Sequence, residues 1–169
     1  MMGLLPLTQE ALFRHIVERP DDDAPRLIYA DWLDESAHDI ECPACHGSGG
    51  EPVLTMSGGV LLAKEVACEW CNGQGTRSDG RAEQAEFIRL QIDRAKKPLL
   101  WHNELHMTRE RDLQGRFGHL WSAGLPQGLP RYFWRGFVDE IRIDHDAFLL
   151  HAERLFLLHP ITRVVLHDK

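Results

Sequence analysis

The sequence lacks any long uninterrupted run of apolar residues. Apolar residues make up 43% of its 169 positions, yet no run approaches the roughly 18 residues that a membrane-spanning helix needs. Residues 1–7 are too few for a secretory leader, and no basic segment precedes them. These absences predict a cytoplasmic protein with reduced thiols and no membrane contact.

Positive charge is also scarce. The chain has 19 Lys and Arg against 26 Asp and Glu, a formal net charge of −7. Nucleic-acid binding depends on basic side chains that neutralise backbone phosphates, so this composition disfavours it. Only residues 81–142 have an excess of basic residues, eleven against eight acidic ones, and a nucleic-acid contact is expected only there.

Cysteine occurs only between residues 42 and 71, in two copies of the pattern Cys-x-x-Cys-x-Gly-x-Gly. Two Cys-x-x-Cys pairs at this separation are typical of a zinc site, and four thiolates leave no position open for water. We therefore expect one structural Zn²⁺ bound by Cys42, Cys45, Cys68 and Cys71. A disulfide, which needs an oxidising compartment, and a redox motif, which normally occurs singly, are the alternatives. His46 is expected outside the ligand set.

Two β-favouring segments, residues 53–56 and 60–66, lie between the cysteine pairs and flank Ser57-Gly58-Gly59. This pattern predicts a β-hairpin whose two ends are clamped by the metal, and so a zinc ribbon over residues 39–78. The cysteine motif resembles the cysteine-rich region of DnaJ-type chaperones, which has four such units and two zinc ions. The resemblance covers only this insert, and its two units imply one zinc.

Helical periodicity predicts a mostly helical domain on both sides of the insert, in residues 1–38 and 79–130. The expected helices are Thr8 to Arg19, Ala24 to Glu35, Arg81 to Lys96 and Leu100 to Ala123. The second helix is apolar on nearly all sides and is expected to be central. Asp31 within it is expected to be buried against Arg26 or Arg89.

Two of these helices resemble a known family. The segment from Asp22 to Glu35, the segment from Arg81 to Gln91, and Arg135-Gly136-Phe137-Val138 are similar to the bacterial repeat-companion domain. That family joins its two helices by a short loop, which residues 36–80 replace here. It is typically found at the N-terminus of larger proteins, often ahead of leucine-rich repeats. The resemblance implies no biochemical activity.

Residues 131–169 predict a β-α-β unit, so the expected fold class is α+β. Its elements are a strand over Tyr132–Ile143, a helix capped by Asp144 and ending near His159, and a strand over Ile161–Leu166. A right-handed crossover makes such strands parallel, and the unit resembles the start of a leucine-rich-repeat stack. Phe148, Leu155 and Phe156 are expected to face inward. One strand edge stays open, and we expect a loop or a partner to cover it.

Other polar clusters are site candidates with a simpler explanation. Residues Asp21, Asp22 and Asp23 suit a helix N-terminus better than a cation site. His102 and His106 lie four residues apart, but not in the His-Glu-x-x-His order of zinc proteases, and a solvated helix face is expected.

No nucleophile lies in a recognisable catalytic setting such as Gly-x-Ser-x-Gly. We therefore expect a non-enzymatic protein-interaction or adaptor module that binds another protein, with Trp70 at the tip of a cysteine loop as a candidate contact. The alternative is an accessory subunit of a nucleic-acid-processing assembly. It would contact RNA or DNA through the helices of residues 81–116, with Arg109, Arg111 and Arg116. An enzyme is the third hypothesis.

Overall fold

The computed structural model describes residues 8–57, 60–97 and 104–167. The chain divides into two units. The first, which we call the helical unit, comprises residues 1–36 and 82–169, and the second, the ribbon unit, is Ala37–Arg81. The expected α+β class is confirmed. Within the described residues, no helix is both long and apolar enough to cross a bilayer.

Five helices and seven strands occur in the described residues. The helices are α1 (Gln9–Glu18), α2 (Asp23–Ser36), α3 (Arg81–Lys96), α4 (Glu104–Trp121) and α5 (His145–Leu158). The strands are β1 (Asp39–Glu41), β2 (Gly50–Ser57), β3 (Val60–Ala67), β4 (Thr76–Ser78), β5 (Arg131–Trp134), β6 (Phe137–Asp144) and β7 (Arg163–His167). Residues 100–103 of the expected fourth helix, with His102, lie outside the described residues.

Side-chain caps start three of the helices where the sequence predicts them. The Thr8 hydroxyl accepts the backbone N–H of Ala11 at 3.3 Å before α1, and the Asp144 carboxylate accepts that of Ala147 at 3.0 Å before α5. At α2 the Asp22 carboxylate accepts the N–H of Ala24 at 2.9 Å. Each bond satisfies an amide that has no partner inside its helix. The expected helix-start role of the acidic triplet is confirmed.

The main apolar core of the helical unit lies among α1, α2, α3 and the start of β6. It consists of Leu12, Ile16, Tyr29, Ala30, Leu33, Ala85, Ile88, Ile92 and Phe137. A second cluster joins α3 to α4 and contains Phe87, Leu113, Phe117 and Trp121, with Phe133 of β5 packed against it. Since β6 contributes Phe137 to the first cluster and β5 packs Phe133 against the second, the C-terminal sheet shares its core with the helices.

The expected burial of α2 is partly wrong. Ile28 is exposed, and so is Asp31, whose carboxylate receives the Arg89 guanidinium at 2.7 Å. Arg89 also pairs with Asp34 at 2.7 Å. The buried charged residue of this helix is Arg26, which is 2% exposed, and burial lowers the pKa of its guanidinium.

The expected single strand over Tyr132–Ile143 is also wrong, because the chain reverses at Arg135 and Gly136. These residues have φ of 51° and 89°, and β5 and β6 pair antiparallel on either side. A side chain at Gly136 would overlap Ile88, so only glycine fits this turn. The following crossover through α5 does make β7 parallel to β6, as predicted. The unit is therefore β-β-α-β, with strand order β5-β6-β7.

The predicted hairpin of the ribbon unit is confirmed. Strands β2 and β3 pair antiparallel from Gly50 opposite Ala67 to Ser57 opposite Val60. The short strands β1 and β4 form a second antiparallel pair. Gly58 and Gly59, the expected turn, lie outside the described residues.

Candidate metal centre

The four cysteine side chains are buried together in the ribbon unit. Their Sγ atoms all lie within 4.8 Å of one another, with 3.9 Å from Cys42 to Cys68 and 3.7 Å from Cys45 to Cys71. Sulfurs placed tetrahedrally at about 2.3 Å from one ion would be about 3.8 Å apart. A disulfide would need about 2 Å. The four cysteines therefore form a cluster that could bind one metal ion.

The two cysteine loops follow the same backbone path. His46 and Asn72 occupy equivalent positions with φ of 47° and 50°, and the glycines that follow, Gly47 and Gly73, have φ of 77° and 81°. Two consecutive left-handed residues turn the chain back toward the sulfurs, which explains why glycine recurs at this offset in both motifs.

Each loop directs one amide at its own second cysteine. The N–H of Gly49 donates to the Cys45 sulfur at 3.3 Å, and the N–H of Gly75 donates to the Cys71 sulfur at 3.2 Å. Bonds of this kind stabilise the thiolate form that binds a metal. The final glycine of each motif therefore donates a hydrogen bond directly to a cysteine sulfur.

Two further hydrogen bonds join one loop to the other. The N–H of Cys42 donates to the Gly75 carbonyl at 2.8 Å, and the N–H of Cys68 donates to the Gly49 carbonyl at 2.9 Å. The equivalence of these bonds gives the site an approximate two-fold symmetry that matches the repeat in the sequence.

The loops approach so closely that neither final glycine could carry a side chain. A Cβ at Gly49 would overlap the Gly73 carbonyl, and a Cβ at Gly75 would overlap the Gly47 carbonyl. Both glycines also have positive φ, of 76° and 77°. Glycine at these positions is thus required by packing as well as by backbone conformation.

Two thiols of the cluster have pKa values shifted in opposite directions. A hydrogen bond from the Cys45 backbone lowers the pKa of Cys42 to about 7, whereas desolvation raises the pKa of Cys68 to about 11. Negative charges that are buried side by side need a compensating positive charge. A divalent cation would supply that charge, and its binding would release protons.

His46 and Trp70 lie outside the sulfur cluster. Among the described residues, the only group of candidate metal ligands is the four cysteines, and His46 is exposed. The prediction that His46 is not a ligand agrees with this arrangement. Trp70 is exposed between Cys68 and Cys71.

The three arginines singled out on α4 differ in their surroundings. Arg109 donates to both carboxylate oxygens of Glu86, at 2.8 and 2.6 Å, and to Asp112 at 3.0 Å. These bonds hold the pKa of the Glu86 carboxyl below its usual value. Arg116 lies 3.6 Å from Asp112, and Arg111 donates to a backbone carbonyl of its own helix. Two of the three guanidinium groups are therefore partly neutralised by neighbouring acids.

An exposed apolar surface on α5 was not anticipated from the sequence. Leu149, Leu150 and Leu157 are 68%, 78% and 71% exposed, and Phe156, expected to face inward, is exposed as well. The signal was present in the sequence, because apolar residues occupy adjacent positions at 149–150 and again at 156–158. Such runs of adjacent apolar residues make the apolar stripe too wide for one buried face.

Comparisons with protein-family models, curated proteins and solved structures found no match.

Proposed function

We propose that this chain is a non-enzymatic protein-interaction module whose ribbon unit is held together by one structural Zn²⁺. The sulfur cluster supports the structural role, because four buried thiolates would fill a tetrahedral shell and leave no position for a substrate or water. Zinc and iron both suit four thiolates. We favour zinc because the paired motif resembles the zinc-binding region of DnaJ-type chaperones.

The observation that carries the interaction role is the leucine face of α5, formed by Leu149, Leu150 and Leu157. All three side chains are more than two thirds exposed, whereas Leu155 of the same helix is buried. Soluble proteins rarely leave several large apolar side chains together in water, and such patches mark contact surfaces. A protein partner would remove this surface from water.

A groove next to the leucine face supports the same role. Its volume is about 690 Å³, and Leu157 lines it together with Phe13 and Val17 of α1 and Leu120 of α4. Polar side chains of α1, Glu10 and Arg14, also line it. An apolar groove with charged groups is the form that binds the apolar face of a partner helix.

We also propose kinship with the repeat-companion domain, supported by contacts among the segments that resemble it. The side-chain amide oxygen of Gln91, in α3, accepts the N–H of Gly136 at 2.7 Å. The Arg135 guanidinium lies 3.5 Å from the Asp23 carboxylate, and Arg89 joins α3 to α2 through Asp31. The similar segments thus contact one another, and these contacts explain why their residues occur together.

The nucleic-acid and enzyme hypotheses stay untested predictions. No observation favours the first, because Arg109 and Arg116 already have carboxylate neighbours. Charge reversal at exposed Arg111 would abolish a salt-sensitive affinity for RNA if this surface bound it.

The test of the interaction role is native mass spectrometry of the protein purified from cells that produce it. We expect one zinc and a retained protein partner. A double variant, Leu150→Glu with Leu157→Glu, should lose the partner and keep the zinc, because the leucine face lies on the helical unit. The matched control is Leu105→Glu on α4, where the replaced leucine is 77% exposed. Equal retention by both variants would contradict the assignment of this face.

A further inference from the structure

Strand β7 forms the outer edge of the C-terminal sheet. It pairs in parallel with β6 along its whole length, from Arg163 to His167, and in the described part of the chain no strand pairs with its other side. Protein edge strands are usually protected by proline, lysine or a bulge. The five residues of β7 include neither proline nor lysine, and their register is regular. The one cationic residue, Arg163 at the start of the strand, is paired with Glu140 of β6.

Hydrogen bonding on the far side of β6 shows which groups of β7 point outward. The N–H of Arg142 donates to the Pro130 carbonyl at 2.9 Å, on the side of β5. Backbone groups alternate in direction along a strand, so Ile141 and Ile143 direct theirs toward β7. Ile141 lies opposite Val164, and Ile143 lies opposite Leu166.

A residue in a parallel ladder bonds to the residues before and after the one opposite it. Ile141 therefore bonds to Arg163 and Val165, and Ile143 bonds to Val165 and His167. The N–H and C=O groups of Val164 and Leu166 consequently point away from β6, toward the open edge.

The apolar layer of the sheet also ends unprotected at this edge. Val164 and Leu166 share the face of Ile141 and Ile143, which are buried against Leu155 of α5. Leu166 is nevertheless 49% exposed, although it continues the core layer. On the opposite face Val165 is partly exposed beside Arg163, whose guanidinium lies 3.0 Å from Glu140.

We propose that β7 pairs antiparallel with β7 of a second copy of this chain, around a two-fold axis through Val165. In this register Val164 lies opposite Leu166 of the second copy, and the outward groups of both residues form hydrogen bonds in each direction. The same register brings the two Val165 side chains together on the other face. The two copies of β7 therefore complement each other in backbone hydrogen bonds and in apolar contacts. The two three-stranded sheets become one sheet of six strands.

The self-pairing surface is distinct from the leucine face of α5, so this inference goes beyond the proposed function and does not depend on it. Five residues of pairing bury little area, and such small interfaces form weak, reversible complexes. We therefore expect a dimer whose population rises with protein concentration.

The test is analytical ultracentrifugation of the metal-loaded full chain over a concentration series. Leu166→Pro removes an outward N–H and leaves the β6 ladder intact, so it should weaken dimerisation by at least about tenfold, as loss of one buried partner in a small interface does. Leu166→Val is the matched control, because it keeps the N–H and the strand preference, and it should dimerise. Circular dichroism and thermal unfolding of both variants establish that they are folded.

A cysteine substitution tests the register itself. Residues that face each other without mutual hydrogen bonds have Cα atoms about 4.5 Å apart, within reach of a disulfide. Val165→Cys should therefore cross-link two copies under mild oxidation, whereas Arg163→Cys, far from the axis, should not. A monomeric wild-type chain at all concentrations, or dimerisation of Leu166→Pro equal to that of Leu166→Val, would overturn the proposal. The double variant of the leucine face should dimerise normally, and loss of its dimer would assign self-association to α5 instead.

Discussion

The ribbon unit and the helical unit differ in what fills their buried interiors. Among the side chains that the structure describes, the buried cluster of the ribbon unit consists of four cysteines with Ala44 packed against it, whereas the helical unit has three clusters of large apolar side chains. A unit of about 45 residues rarely folds on apolar burial alone and usually needs a metal or disulfides. Stability in one unit should therefore depend on metal binding, and in the other on packing.

The largest expected effect comes from removing a ligand. Cys45→Ser should unfold the ribbon unit, because structural zinc contributes on the order of 10 kcal/mol to the folding of such a small unit. Limited proteolysis should show cleavage within residues 37–81 and protection of the helical unit. Chelation of the wild-type metal should give the same pattern, and an unchanged digest after complete metal removal would refute the structural role of the metal.

Glycine-to-alanine substitutions should have different effects in the two units. Gly136→Ala should destabilise the helical unit by about 2–4 kcal/mol, because the new methyl overlaps Ile88 and φ is positive. Gly49→Ala should instead lower metal affinity, measured by competition with a chelator. Chemical denaturation of the helical unit and metal competition should each respond to only one of the two variants. A variant that changes both measurements would show that the units are energetically coupled.

A buried histidine should make the helical unit pH-dependent. His159 is buried, and desolvation lowers its pKa from the ordinary 6.5. The unfolded chain therefore binds this proton more readily, so the contribution of His159 is complete above pH about 6.5 and is lost as pH falls toward the folded-state pKa.

Unfolding free energies at pH 7.5 and pH 5.5 would measure this loss, and His159→Gln should reduce the difference. An equal difference in the variant would assign the pH dependence to other groups.

The smallest expected effect is stabilising. Gly115 lies inside α4 and a methyl group there would meet no atom within 4 Å. Gly115→Ala should raise the unfolding free energy of the helical unit by about 0.5–1 kcal/mol, because alanine loses less backbone entropy in a helix. Denaturation midpoints would measure it, and metal affinity should stay unchanged. A loss of stability would indicate that α4 needs flexibility at this position.

The cysteine cluster was predictable because it depends on residues that are close together in the sequence. Each cysteine pair needs only two intervening residues to present both sulfurs, and the repeated glycines specify the turn that follows. The bounds of α3 and the caps of α1 and α5 were predictable for the same reason, since periodicity and capping depend on residues within one or two turns.

The errors arose where a residue depends on a distant segment. Asp31 directly follows buried Ala30 and is two residues from buried Leu33, yet its own side chain points outward to Arg89, 58 positions later. Arg109 meets Glu86 across 23 positions. The turn at Arg135 and Gly136 was hidden in a strand-like run, because an arginine with positive φ is uncommon and the packing of Ile88 against Gly136 is visible only in three dimensions.

The sequence by itself determined the cysteine cluster, the limits of α1, α2, α3 and α5 to within about one residue, and the parallel crossover to β7, since spacing, capping and chain handedness act over short stretches. Tertiary structure alone decided which charges are buried, where β5 and β6 reverse, and which apolar residues stay in water. Those outcomes depend on the faces that other elements cover. The α5 leucines and the β7 edge are exposed because nothing in the described residues covers them, and periodicity cannot reveal that.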